Sequence, residues 1–352
     1  MSATGAPASA VDTLDQFEVV AALPEQVAEA LRALDGGVAG LPEGHEIDHV
    51  VVLGMGGSGI AGDVLVAVAG PVCPVPIIVS KDYELPGFVG PRTLVLAVSC
   101  SGGTEETIDA STEAAHAGAR LAVVCQGGPL AALAGEWSAP HIRVPEHFRM
   151  PRSAIGALSV PLLITLEQIG LLPGAHQYVA DTVAQLGRRR DELVRPGSAA
   201  EMLARRIGRT IPLIYGGGPV GAVAAVRWKA QVNENAKAPA FANRVPELCH
   251  NEAAGWGQHG DVTRQVLTLV QLRHDFEHPQ VDRRFELVDD LVSEVVGAVH
   301  NVHAEGDGPA AQLFDLVIQG DFVSLHLAAQ AGVDPGPIPA LDYIKSGLTR
   351  RA

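Results

Sequence analysis

Three scarcities in this sequence each exclude a class of protein. Only four cysteines occur in 352 residues, scattered and without a CxxC pair or zinc-type spacing, so ordinary buried thiols are the simplest interpretation. Basic residues number 25 against 40 acidic ones, a formal charge of −15, which argues against broad contact with nucleic acid or an anionic membrane. No run reaches the roughly 18–20 apolar residues of a membrane helix, and the N-terminus has no signal-peptide pattern. We therefore expect a cytoplasmic protein that binds neither nucleic acid nor membrane.

The chain is rich in apolar residues, at 47%, with 18% charged residues, as in a well-buried globular protein. Its length favours two domains. Apolar, β-branched runs alternate with helical segments, which predicts parallel strands joined by crossover helices. In the first half these runs are "IDHVVVLG", "VPIIVS", "RTLVLAVS", "ARLAVVC" and "HIRVP".

A second copy of this pattern begins at "GRTIPLIYGGGPVG", and its glycine loop corresponds to "LGMGGSG" when Gly54 is aligned with Gly216. The fold class predicted is α/β, with two doubly wound parallel-sheet domains in one chain. The expected limits are an N-terminal extension and helix over 1–45, a first domain over 46–175, a helical connection over 176–208, and a second domain with C-terminal helices over 209–352. "TRQVLTLVQLRHD" is expected to be a later strand and "AAQLFDLVIQGDFVSLHLAAQAG" a closing helix.

The first glycine loop matches the dinucleotide fingerprint G-x-G-x-x-G at Gly54, Gly56 and Gly59. A dinucleotide site also expects an acidic residue at the end of the second strand. Here Lys81 follows "VPIIVS", with Asp82 behind it. The case for a dinucleotide is therefore weak.

The third strand leads into a loop that suits a phosphate. "SCSGGTEET" places Ser99, Ser101 and Thr104 around two glycines, directly before a predicted helix. Hydroxyls and backbone N–H groups at a helix N-terminus bind oxygen-rich anions. The alternative is ordinary N-capping by Ser101 or Thr104.

These loops resemble the SIS (sugar isomerase) domain, and further motifs extend the resemblance to the bifunctional phosphoglucose/phosphomannose isomerases, a family with two such domains. The further motifs are "MPRSAIGAL", "NENAKAPAF", "PELCHNEAAGW", "GDFVSLHLAAQAGVDP" and "LDYIKSGL". The resemblance implies flavodoxin-like SIS domains and a phosphate held by the first domain. The residues expected to contact the phosphate are Gly57, Ser58, Ser99, Ser101 and Thr104.

The resemblance also implies a metal-independent, cofactor-free isomerase. It would interconvert fructose 6-phosphate with glucose 6-phosphate and mannose 6-phosphate through an enediolate. Glu234 would be the base, His250 and Lys345 would open the sugar ring, and Arg152 would stabilise the enediolate. The histidine of relatives comes from the neighbouring subunit, so a homodimer with shared active sites is expected.

Each of these four residues also has a simpler interpretation from the sequence alone. Glu234 could be a surface residue paired with Lys229 or Lys237, His250 a structural histidine, Lys345 a solvated charge and Arg152 part of a surface salt bridge. For the whole chain, the alternatives are a non-catalytic phosphosugar-binding or regulatory protein, and a nucleotide-dependent oxidoreductase or transferase.

Overall fold

The computed structural model describes residues 11–349; the expected flexible start falls largely on residues 1–10, outside that range. The helices are α1 (Gln16–Ala21), α2 (Leu23–Arg32), α3 (Gly56–Ala69), α4 (Glu105–His116), α5 (Gly128–Glu136), α6 (Ile155–Gln168), α7 (Ala175–Leu193), α8 (Ala199–Ile207), α9 (Gly218–Asn235), α10 (Gly260–Val266), α11 (Pro279–Val292), α12 (Gly308–Ala331) and α13 (Pro339–Thr349). The strands are β1 (His49–Leu53), β2 (Ile77–Ser80), β3 (Thr93–Ser99), β4 (Arg120–Cys125), β5 (His141–Arg143), β6 (Ile211–Gly217), β7 (Phe241–Val245), β8 (Leu267–Arg273) and β9 (Ala298–His303). Short 3₁₀ turns lie at Gly44–Glu46, Pro151–Ala154, Glu247–His250 and Glu252–Gly257.

The first sheet has the strand order β2-β1-β3-β4-β5, and all its neighbouring strands are parallel. Val51 of β1 pairs with Ile78 of β2 on one side and with Val95 of β3 on the other. Every residue of β3 is buried, as expected for a strand covered by helices on both faces. Because β1 connects outward to β2 while β3 connects outward to β4, the reversal of strand order falls between β1 and β3.

The second sheet repeats this connectivity with the order β7-β6-β8-β9, again with parallel neighbours. β6 corresponds to β1 and β8 to β3. The glycines that begin the following helices also correspond, since Gly56 opens α3 with φ +50° and Gly218 opens α9 with φ +58°. The aligned loops therefore make the same turn, and the α/β class with two parallel sheets is confirmed.

The chain divides into two compact units. The first unit comprises Leu23–Gly187 and Glu305–Asp315, and contains the first sheet. The second unit comprises the residues up to Ala22, Arg188–Ala304 and those from Leu316 onward, and contains the second sheet. Each has its own apolar core. In the first unit, Val51, Leu53 and Val95 pack with residues of α4, and in the second, Tyr215 and Leu269 pack with Phe285 and other residues of α11.

Two stretches differ from the predicted pattern. The expected strand "TRQVLTLVQLRHD" is helical up to Val266, and β8 begins only at Leu267. In α10, the Thr263 hydroxyl donates to the Val295 carbonyl and Arg264 Nε donates to the Glu294 carbonyl, so side-chain contacts far along the chain stabilise this turn. The expected closing helix is α12, but α13 follows it.

Candidate active site

The candidate phosphate site lies in the first unit, where β1 and β3 end side by side. Leu53, the last residue of β1, pairs with Ala97 of β3. The two loops that follow are "GMGGSG" and "SCSGG", and they leave the sheet at the point where strand order reverses. Ligands of open α/β sheets bind at such points, outside the carboxyl ends of the strands.

Ser58 connects these two loops. Its side chain is buried, and its Oγ accepts a hydrogen bond from the Cys100 N–H at 3.0 Å. A hydroxyl that accepts in this way still has its own hydrogen to donate. Ser58 therefore fixes the spacing of the loops and keeps one donor.

The hydroxyl groups of the loop "SCSGG" and of Thr104 differ in burial and in hydrogen-bond partners. Ser99 is fully buried, and its Oγ accepts from the Gly102 N–H at 3.1 Å and lies 2.9 Å from Thr104 Oγ1. Ser101 is exposed, and its Oγ accepts from the Gly103 N–H at 3.3 Å. Ser99 thus orders the loop from inside, whereas Ser101 and the half-buried Thr104 lie nearer to solvent.

Thr104 does not act as an ordinary side-chain N-cap, which is the alternative to phosphate binding. This residue is the N-cap of α4, yet its hydroxyl makes no capping hydrogen bond and pairs with Ser99 instead. The first N–H groups of a helix have no acceptor within the helix. They are the groups with which a helix N-terminus binds an anion.

Arg152 is buried, at 2% exposure, on the 3₁₀ turn Pro151–Ala154 that leads into α6. A Cβ added at Gly57 would lie 2.9 Å from the Arg152 backbone nitrogen, so only glycine fits between the first loop and this turn. The structure therefore places the backbone of the Arg152 turn against Gly57, one of the predicted phosphate residues. Its burial does not fit the interpretation as a surface salt bridge.

At the end of β2, the structure has a lysine at the position where a dinucleotide-binding domain has an acidic residue. Lys81 follows Ser80 directly and forms an ion pair with Asp63 of α3. The side chain of Lys81 is 39% exposed. This arrangement does not offer the carboxylate that would bind ribose hydroxyls.

In the second unit, the crevice that corresponds to the phosphate site is filled by protein. A Cβ at Gly217 would lie 2.7 Å from Glu277 Oε1 and 2.9 Å from Phe285 Cε2. Arg273 pairs with Glu277 at 2.7 Å, and its guanidinium lies 4.2 Å from the centre of the Phe285 ring. His274 Nε2 donates to the Gly217 carbonyl at 2.8 Å. The candidate phosphate site of the first unit therefore has no counterpart of the same kind in the second sheet.

Glu234 lies at the end of α9, and its neighbours anchor that end within the second unit. Asn233 Nδ2 donates to the Ala238 carbonyl at 2.8 Å, and Asn235 Nδ2 donates to Ser324 Oγ at 2.9 Å. Lys237 Nζ donates to the main-chain carbonyl of Glu234 at 2.5 Å. The Glu234 side chain is half-buried.

His250 ends the 3₁₀ turn Glu247–His250 and is exposed. The following residues are anchored through Glu252, whose carboxylate accepts hydrogen bonds from the Tyr215 hydroxyl and from Asn243 Nδ2. Burial, followed by the hydrogen bond to Glu252, raises the pKa of the Tyr215 hydroxyl above its ordinary range, so Tyr215 remains a donor to Glu252. The exposed His250 is thus followed by a segment that the hydrogen bonds of Glu252 hold in place; this is the braced segment.

Lys345 lies on α13 of the second unit and is exposed. Glu234, His250 and Lys345 therefore lie on three different elements of one unit. Glu234 lies on α9, His250 lies on the 3₁₀ turn after β7, and Lys345 lies on α13.

Cys100 in the candidate phosphate loop and Cys125 at the end of β4 are not nucleophiles at neutral pH. Burial raises the pKa of Cys100 and of Cys125 to about 11. Since the thiolate is the reactive form, both thiols stay protonated.

Residues 11–349 contain neither a cluster of metal ligands nor a membrane helix. No group of three or more His, Cys, Asp or Glu in this range is arranged to hold a metal ion. Within the same part of the chain, no helix combines the length and the apolar character needed to cross a membrane.

The chain matches known proteins over nearly its whole length. It is 34% identical over 339 residues to a bifunctional phosphoglucose/phosphomannose isomerase of Caldicellulosiruptor bescii, covering 94% of this chain and 98% of the relative. The chain belongs to this family. A second member, from Thermoplasma acidophilum, is 32% identical over 86% of this chain and 90% of its own.

Two further comparisons agree with membership of the bifunctional phosphoglucose/phosphomannose isomerase family. The family described as bacterial phospho-glucose isomerase C-terminal SIS domain matches residues 197–348. The crystal structure of tagatose-6-phosphate ketose/aldose isomerase from Escherichia coli superposes with a TM-score of 0.68 at 16% identity, over 95% of this chain and 98% of that one. That likeness establishes the SIS fold.

Membership of the family confirms the predicted resemblance and the prediction of an isomerase. The alternative of a non-catalytic phosphosugar-binding protein is not favoured, since the relatives over most of the chain are named as isomerases.

Two residues outside the sequence-based predictions brace the predicted site residues. Glu252 follows His250 by two positions, and its place in "CHNE" was a usable signal. Gln26 hydrogen-bonds to the turn that carries Arg152, with a partner 127 residues away. No local pattern in the sequence indicates that contact.

Proposed function

We propose that this protein interconverts fructose 6-phosphate with glucose 6-phosphate and mannose 6-phosphate. The observation that carries the proposal is that Ser58 joins the hydroxyl-rich loop to the glycine loop, which packs against the buried Arg152 turn, in a chain of this family. Gly57, Ser58, Ser99, Ser101 and Thr104 form the phosphate site. Ser101, Thr104 and the first turn of α4 supply the donors nearest to solvent, while Ser58 and Ser99 hold the loops in shape.

The reaction begins with ring opening, for which the substrate needs a proton at its ring oxygen. His250 donates that proton and Lys345 assists at the same oxygen or at the adjacent hydroxyls. Histidine suits this step because its ordinary pKa lies near 6.5. The exposed position of His250 before the braced segment is compatible with contact to a substrate held elsewhere.

Proton transfer follows in the open chain. The Glu234 carboxylate removes the proton from C2, the electron pair forms the C1–C2 double bond, and negative charge develops on the former carbonyl oxygen. Arg152 stabilises this charge, as fixed cations do in enolisation. Glu234 then returns the proton to C1 while the proton of the C2 hydroxyl passes to the C1 oxygen, so C2 becomes the carbonyl and no atom or electron is gained or lost. Rotation about C2–C3 in the enediolate presents the other face and gives the second C2 epimer.

A direct assay tests the substrate and the absence of a metal requirement together. Fructose 6-phosphate is incubated with the protein, with and without a chelator, and the aldose 6-phosphates are identified. We expect both epimers in both samples. Glu234→Gln should abolish turnover while phosphate binding persists, because the loop lies on other elements. Full activity in Glu234→Gln would contradict the assigned base.

We further propose a homodimer in which His250 acts in the partner's site. Glu234→Gln and His250→Ala, each inactive alone, are unfolded together and refolded as a mixture. If the residues act across subunits, mixed dimers hold one intact site, and activity returns to about a quarter of the wild-type value. Sites built within one subunit would leave the mixture as inactive as its components.

The cellular location proposed is the cytoplasm. Fractionation of cells that produce the protein at its natural level tests this, with the soluble cytoplasmic fraction expected to contain it.

A further inference from the structure

The buried Arg152 stands on a segment that is held by two side-chain amides from distant parts of the first unit. Gln26 of α2 is one and Gln126, directly after β4, is the other. Gln26 is 7% exposed and Gln126 is half-buried. Neither has a place in the reaction described above.

Gln26 acts at the junction of the Arg152 turn and α6. Its Nε2 donates to the Ser153 carbonyl at 2.8 Å, and its Oε1 accepts from the N–H groups of Gly156 at 2.6 Å and Ala157 at 3.1 Å. The N-cap residue of α6 is Ala154, which has no side-chain acceptor. Gln26 therefore caps α6 from another helix and at the same time ties down the residue after Arg152.

Gln126 hydrogen-bonds to the segment that precedes the same turn. Its Nε2 donates to the carbonyls of Pro145 at 2.9 Å and Phe148 at 3.0 Å. Its backbone N–H donates to the Cys100 carbonyl at 2.9 Å, in the hydroxyl-rich loop. Gln126 thus connects the phosphate loop to the segment that leads into Arg152.

The third restraint is Gly57 of the other phosphate loop, against whose Cα hydrogens the Pro151–Arg152 backbone packs. The substrate's phosphate is on C6, whereas charge develops at C1 and C2, at the other end of the molecule. A site that holds both ends must keep the phosphate loops and Arg152 at a fixed separation. An error of about 1 Å at a reacting group can reduce the rate on the order of 100-fold.

We propose that Gln26 and Gln126 are positioning residues that set Arg152 relative to the phosphate loops. This inference rests on the proposed role of Arg152. Both amides act through the backbone, and neither touches the substrate.

Steady-state kinetics with fructose 6-phosphate tests the inference. The variants are Gln26→Met, Gln126→Met and Gln26→Glu. The Gln26→Glu side chain still caps α6 but cannot donate to the Ser153 carbonyl. We expect kcat to fall about 10- to 100-fold, with KM changed less than about threefold, because the phosphate donors are untouched. Gln168→Met is the matched control: Gln168 also bridges backbone groups, at Val38, but lies away from the turn. It should keep wild-type kcat.

A double-mutant comparison separates positioning from a general structural role. In an Arg152→Ala background, Gln26→Met should lower kcat no further, since its effect passes through Arg152. An equal loss in both backgrounds, or an unchanged kcat in Gln26→Glu and Gln126→Met, would overturn the inference.

Hydrogen exchange gives a readout that does not depend on activity. In the protein without substrate, amides of residues 150–157 should exchange faster in Gln26→Met and Gln126→Met than in wild type or Gln168→Met. Unchanged exchange in this segment would refute the positioning role, whereas failure of the wild type to isomerise the substrate would refute only the proposed function.

Discussion

At the scale of single residues, the buried ion pair between Arg227 and Asp321 determines how α9 is held in the second unit. Arg227 donates to Asp321 from Nη2 at 2.7 Å and from Nε at 3.0 Å, and both side chains are at most 3% exposed. Glu234 follows Arg227 by seven positions, which places both on the same face of α9. The pair therefore anchors the helix that carries the proposed base.

Removing one charge of this pair should be costly. Asp321→Asn leaves the guanidinium buried without its counter-charge, and we expect a loss of about 3–5 kcal/mol in the free energy of unfolding. Urea denaturation measures it. Glu286→Gln is the control, because the Arg283–Glu286 pair is 61% and 57% exposed, and it should change stability by less than about 1 kcal/mol. Equal losses in the two variants would contradict the argument.

Thiol chemistry provides a second test at this scale. Cys100 and Cys125, with pKa values of about 11, should react slowly with iodoacetamide at pH 8, because only about 0.1% of each is thiolate. Cys73 is half-buried and should react first. Peptide mapping by mass spectrometry follows the order, and unfolding in urea should abolish the difference. Rapid alkylation of Cys100 in the native protein would refute it.

At the scale of elements, α9 and α12 pack at unusually short range. A Cβ at Gly320 would lie 2.3 Å from the Trp228 ring, and Trp228 Nε1 donates to the Leu316 carbonyl at 2.7 Å. Trp228 is 1% exposed, so the ring has no room to move aside. The contact sets the position of α9 and hence of its C-terminal end.

Gly320→Ala should therefore separate these helices and lower stability by about 3 kcal/mol. Gly187→Ala in α7 is the matched control, because nothing lies within 4 Å of its added Cβ. That control should be neutral or gain up to about 1 kcal/mol. Thermal unfolding followed by circular dichroism measures both, and similar melting temperatures would show that the close approach is not a constraint.

The elements were predictable from the sequence to the extent that their signals are local. The apolar, β-branched runs predicted β1 to β6 and β8 but not β7, and the aligned glycine loops predicted the correspondence between β1 and β6. Contacts between distant residues were not predictable: the Arg227–Asp321 pair joins residues 94 apart, and α10 depends on carbonyls about 30 residues later. The roles of Glu234, His250 and Lys345 came from family resemblance, since their local sequence admits simpler interpretations.

At the scale of the whole molecule, two buried histidines and one half-buried histidine couple folding to pH. Burial is the largest cause that lowers the pKa of His274, His300 and His326 below the ordinary value. His326 also packs edge-on against Phe17, with ring centres 5.2 Å apart. All three are held in their neutral form in the folded chain.

Stability should therefore fall on acidification. An unfolded histidine takes up its proton near pH 6.5, before the buried ones do, so the stabilisation is full above that value and is lost as pH falls through the folded pKa values. Melting temperatures at pH 7.5, 6.5 and 5.5 should decrease in that order. His326→Phe, which keeps a ring beside Phe17, should show a smaller decrease. A melting temperature that rises toward pH 5.5 would contradict this account.

The filled crevice of the second unit makes the two halves unequal under selection. In the first half, the proposed phosphate role requires "SCSGG" to keep its hydroxyls and its backbone path, so most mutations there should be eliminated. In the second half, Arg273, Glu277 and Phe285 need only fill a volume and balance a charge. Homologous chains should therefore vary more at these three positions than in their first loops, provided that each change keeps the filled volume and the charge balance.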